Sequence, residues 1–101
     1  MSDHPPIPPG CEQWERFFTE LFCDSGRRYK RDAAEGETAT RRVQLLRAAF
    51  YRTRWQDEAR RLRESEAYVK RHDATTLAVR AAEADAEAWR KWGTKTRGSG
   101  R

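Results

Sequence analysis

Trp14, Phe17, Phe18, Leu21 and Phe22 recur three and four residues apart, which gathers them on one stripe of an α-helix. The pattern predicts a first helix over residues 11–24. Glu12 and Glu15 suit its positive N-terminal dipole, and Asp24-Ser25-Gly26 reads as its stop. So short a helix does not persist alone in water, and its aromatic stripe must dock on something. Gly26 and Gly36 punctuate an expected linker over residues 25–37. Within it, Asp32-x-x-Glu35 has the form of a capping box for a short helical turn. From Glu37 to Trp92 there is neither glycine nor proline. This stretch reads as helix, broken near Arg71-His72-Asp73-Ala74-Thr75-Thr76, where Asp and Thr favour an N-cap over a helix interior. The expectation is a second helix over 38–71 and a third over 76–92. The alternative is one continuous rod of about 80 Å.

The second helix carries two apolar stripes about 120–140° apart. Val43, Leu46 and Phe50 form a short one, assigned to the first helix of the same chain. Ala48, Tyr51, Trp55, Ala59, Leu62 and Val69 form a long one. Its positions 48, 55, 62 and 69 repeat every seven residues, but Glu58 and Ser65 weaken the seam between them. This stripe faces either a second copy or the third helix. The third helix groups Leu77, Ala78, Ala81, Ala82, Ala88, Trp89 and Trp92 on one broad face, interrupted by Asp85, and Gly93 is a natural stop. Residues 1–10 hold all four prolines and form an extended, flexible leader or an arm laid on a neighbouring subunit. Residues 93–101 form a basic tail expected to be disordered. The fold class is thus all-α, three helices with a long central one over residues 11–92.

Composition narrows the function. Only 18 of the 101 residues are large apolar side chains, a thin core for long helices, so a helical homodimer through the second helix is expected. The chain lacks any apolar run of the length a bilayer needs and shows no secretory signal at its start, which points to a cytoplasmic setting. Cys11 and Cys23 are too few for a disulfide framework. Arginine outnumbers lysine 17 to 4, a bias that fits a GC-rich bacterial genome.

The net charge of +5 is segmented. Residues 1–26 carry one arginine against five acids, while residues 41–72 carry ten bases against four acids. Such segmentation suits pairing between helices as well as it suits nucleic acid. Arg27, Arg28, Lys30 and Arg31 are the candidate nucleic-acid contacts. The second helix, however, interleaves acids with its arginines, and no helix-turn-helix spacing is present.

Catalytic chemistry finds little support. His4 and His72 have no spacing that suggests a dyad with Cys11 or Cys23, and the stock of Cys and His is too scattered for zinc. No glycine-rich phosphate loop occurs. Acids 57, 58, 64 and 66 alternate with bases as Arg54–Glu58, Asp57–Arg61, Arg60–Glu64 and Glu66–Lys70, the i,i+4 ladder of a solvated face. Asp85, on an apolar face, calls for an arginine partner from the second helix. No cofactor, metal or catalytic residue is assigned.

The layout over residues 11–92 is a short aromatic helix, a long arginine-rich helix and an alanine-rich closing helix. In this format the chain resembles the quorum-sensing anti-activators of pseudomonads, small all-helical proteins that bind a LuxR-type activator and block its dimerisation. The resemblance implies a non-enzymatic regulator that masks a surface of another protein, such as a transcription factor. The alternative is a basic nucleic-acid-binding accessory protein of bacterial or phage origin. Candidate partner or dimer anchors are Tyr51, Trp55, Leu62 and Val69 on the long stripe, with Trp14, Phe18 and Phe22 on the first helix.

Overall fold

The computed structural model describes residues 4–65 and 70–98. Among these it contains three α-helices and no strand: α1 (Glu12–Arg28), α2 (Ala33–Glu64) and α3 (His72–Gly98). They form an elongated body of 58 × 28 × 18 Å. α2 is the spine. α1 lies along its N-terminal half and α3 folds back along its length, each on a different stripe. The two stripes of α2 therefore serve two neighbours of the same chain, and α3 covers the long one.

The helix ends differ from expectation in instructive ways. α1 runs through Gly26 to Arg28. Arg27 and Arg28 both pair with Asp24 one turn back and suit the C-terminal dipole, which together offset the cost of about 1 kcal/mol for a helical glycine. The expected thirteen-residue linker contracts to a turn over 29–32, closed by the Asp32 N–H on the Tyr29 carbonyl at 3.0 Å. Asp32 then caps α2 by accepting the Glu35 N–H at 3.1 Å. The capping signal was right, but it opens the long helix, not a short turn. α2 ends at Ser65, whose Oγ and N–H both donate to the Leu62 carbonyl. α2 thus ends before the expected break, while Arg71 lies in a turn and α3 begins at His72, inside the expected window.

Burial explains the register of α3. Thr75, Val79, Ala82, Ala86, Trp89 and Gly93 are its buried residues, spaced alternately by four and three, the spacing of a coiled-coil seam. Thr75 sits inside this seam, so it is not a cap. Leu77, 67% exposed, and the exposed Ala78 and Ala81 lie outside it. Gly93 does not stop the helix. A Cβ there would lie 2.7 Å from the Ala48 Cβ, so glycine lets α3 approach α2 closely. The tail expected to be disordered is helical to Gly98.

The core is divided. One cluster joins Cys11, Phe18, Ala48, Tyr51 and Trp89, with Trp14, Leu21, Val43, Phe50, Trp55 and Trp92 packed against it. A smaller one joins Ala59, Val79 and Ala82, flanked by Trp55 and Leu62.

The proline-rich leader is not a free arm. Ile7 packs on the aromatic cluster and Pro8 is buried. The Pro6 carbonyl accepts two indole N–H groups, from Trp55 at 3.0 Å and from Trp89 at 2.9 Å. Buried indoles need acceptors, and a proline segment has carbonyls to spare because it forms no ladder or helix. Gly10, at φ 76°, turns the chain from this segment into α1.

Candidate binding site

The most polar point of the interior lies where α1, α2 and α3 converge. Arg47 is 4% exposed. It donates through Nε to Glu15 Oε1 at 3.1 Å and through its terminal nitrogen to Glu15 Oε2. This fork-to-carboxylate pairing fixes both side chains. The guanidinium also lies 5.1 Å from the Trp89 ring centre and 5.2 Å from that of Trp92, within cation–π range. The Tyr51 hydroxyl donates to Glu15 Oε1 at 3.1 Å. Burial, then the Glu15 charge and the hydrogen bond to it, push the Tyr51 phenol well above its ordinary range, so it stays a donor. His4 stacks on Trp89 at 5.4 Å and sets its Nε2 4.0 Å from Glu15 Oε2.

Beside this node opens a cleft of about 350 Å³ between α1 and the α2–α3 pair. Arg47, Glu15 and Trp92 form one wall, and Phe22, Cys23 and Gln44 line the rest. Glu15 accepts from Arg47 and Tyr51, and the Thr19 hydroxyl donates to the Glu15 carbonyl at 2.9 Å. Cys11 is buried and Cys23 exposed. His72 opens α3 at the far end of the molecule, remote from both. Among the described residues no three His, Cys, Asp or Glu side chains gather as metal ligands do.

The anchors expected from the sequence divide. Tyr51 and Phe18 are core, at 0% and 2% exposure, and present nothing to a partner. Trp14, Trp55 and Leu62 are half-buried and packed on the core clusters. Phe22 is half-buried in the cleft wall. Val69 lies outside the described residues. Among the described residues the large apolar side chains that reach the surface are Leu77 on α3 and, where α1 meets α2, Phe17, Leu45 and Leu46. Phe17 is held edge-on by Trp14 and Phe18, and both of these meet Phe50. Leu46 lies one turn before Phe50 on the short stripe, so an aromatic bed supports an exposed apolar edge.

Of the basic candidates, Arg27 and Arg28 are engaged with Asp24. Lys30 and Arg31 are exposed in the α1–α2 turn. The expected ladder on α2 forms one residue tighter, as Asp57–Arg60 and Glu58–Arg61, while Arg54 lies over the Phe50 ring. Glu66 lies outside the described residues. Asp85 has no ion-pair partner among the described residues, and burial raises its carboxyl above the usual range. Among the described residues the ion pair between α2 and α3 is instead Arg63–Glu83.

Sequence reasoning missed Arg47 as a buried residue. Its signal was present. At about 100° per residue it falls between the two stripes of α2, so covering both stripes buries it. Its partner Glu15 was read only as a dipole residue. No protein-family model matches the chain, and no curated protein or solved structure matches it either.

Proposed function

We propose that the protein is a small non-enzymatic regulator that binds another protein and modulates it by covering a surface. A transcriptional activator is the partner class that the helical layout suggests. The observation that carries this reading is the edge formed by Phe17 and Leu46, 45% and 53% exposed, on a rigid aromatic bed. Exposed aromatic and aliphatic groups held in one geometry bind with little loss of side-chain entropy, as interface hot spots do. The test is quantitative capture from nuclease-treated bacterial lysate by the full chain and by its Phe17→Glu/Leu46→Glu variant, with helix content checked by circular dichroism. The reading expects one protein held in stoichiometric amount by the parent and lost from the folded variant. Equal capture by both, or none by either, overturns it.

Lys30 and Arg31 support a second reading. Neither has a carboxylate within ion-pair distance among the described residues, and both are exposed beside the α1 terminus. If they hold nucleic acid, binding weakens steeply with salt and survives Phe17→Glu/Leu46→Glu.

A further inference from the structure

The groove into which residues 4–9 fold has an unusual recognition pattern. Trp55 from α2 and Trp89 from α3 converge on a single backbone carbonyl, that of Pro6. The two residues that follow it are held in place, Ile7 against the aromatic cluster and Pro8 in a buried position. The segment is pre-shaped. Pro5, Pro6, Pro8 and Pro9 each fix φ, and His4 and Ile7, each preceding a proline, are confined to extended backbone. No cis peptide occurs among the described residues. An aromatic-lined groove that donates N–H groups to the carbonyls of an extended proline segment is a general mode of peptide recognition. It works because the ligand has little conformational entropy left to lose.

We propose that the Trp55–Trp89 groove is a polyproline-recognition site, that the chain's own leader fills it in cis, and that its partner in trans is a proline-rich segment of another protein with an apolar–Pro pair after the accepting proline. The leader is then a built-in competitor. Tethered through Gly10, it faces the groove at an effective concentration in the millimolar range, so only a segment of high local concentration or better fit displaces it. Gly10 is exposed at φ 76° with no atom within 4 Å of a Cβ built there, which leaves space for a longer tether. The groove lies on α2 and α3, and the assignment does not depend on the Phe17–Leu46 edge.

The test uses the full chain with nitrogen-15 in its tryptophan indoles and an added peptide of sequence Asp-His-Pro-Pro-Ile-Pro-Pro-Gly. Its control carries alanine at every proline. The leader is loosened in two separate chains, by Ile7→Ser and by a flexible Gly-Ser insertion after Gly10, the second leaving every native contact available. The expected result is a saturable shift of the Trp55 and Trp89 indole signals with the proline peptide alone, with half-saturation in a loosened chain about tenfold lower than in the parent. No shift in any folded chain at about 5 mM peptide, or equal shifts with the alanine control, overturns the proposal and leaves the leader a fixed part of the core. Shifts that follow protein concentration instead of peptide concentration also overturn it, and give the groove to the leader of a second copy.

Discussion

The middle and the C-terminal end of α2 are stabilised in different ways. Around Ala48–Trp55 the helix is wrapped by α1, α3 and the proline leader, and the interior is aromatic: Phe18, Phe50, Tyr51 and Trp89 meet with ring centres 4.8 to 5.7 Å apart. Around Ala59–Leu62 the helix packs on α3, and the seam is Ala59, Val79 and Ala82. Large rings bury much area in few residues, so the wrapped middle can accommodate a buried ion pair. Alanines bury little and gain mainly through close backbone approach. Helices at the two-helix end thus depend mainly on intrinsic propensity, since the peripheral Arg63–Glu83 ion pair joins half-exposed side chains and contributes little.

Substitutions can break or sharpen this contrast. Trp89→Ala removes a fully buried ring, the partner of Tyr51 and of the Pro6 carbonyl. It is expected to cost about 3–5 kcal/mol in denaturant unfolding, against about 1 kcal/mol for Ala82→Gly in the alanine seam. Similar losses at both sites would abolish the distinction. Glu15→Gln leaves the Arg47 charge buried without its counter-charge. The expected loss is about 2 kcal/mol, less than for a wholly buried pair because Glu15 is 27% exposed. The double change Glu15→Gln/Arg47→Met should recover most of it, and a double-mutant cycle checks this.

Gly93→Ala tests the close approach of α3. Helix propensity favours alanine by about 1 kcal/mol, but the clash with Ala48 should make the net change destabilising by about 1 kcal/mol. Gly26→Ala, with open space around its Cβ, should stabilise by about 0.5–1 kcal/mol. Opposite signs for the same chemical change, read as shifts in Tm, distinguish packing from propensity. The smallest effect belongs to Asp85. Burial raises the pKa of its carboxyl in the folded state, so the fold disfavours the ionised form. Stability is therefore greatest below the ordinary carboxylate range and falls as pH rises through the raised value. Asp85→Asn should raise Tm slightly at pH 7, and the gain should vanish in acid. A constant gain at all pH values would refute the burial argument.

Much of this architecture was written in local pattern. The stripe of α1, the two stripes of α2 and the Asp32 cap follow from side-chain periodicity and capping chemistry, which act over a few residues and can be read directly. The position of Phe50 against α1 followed from the short stripe. Element ends were less legible. Gly26 and Gly93 look alike in sequence, yet one is a tolerated surface glycine and the other a contact with Ala48.

What the sequence determined by itself is the all-α class, the number of helices and the need of α2 for two neighbours, because these depend on residue spacing alone. Only the tertiary structure decided which neighbour took the long stripe, that Arg47 and Glu15 meet inside, and that the proline leader closes over Trp55 and Trp89. These depend on surfaces far apart in the chain. Their pairing is selected by which arrangement buries the indoles, satisfies their N–H groups and neutralises a guanidinium at once, a condition no local window contains.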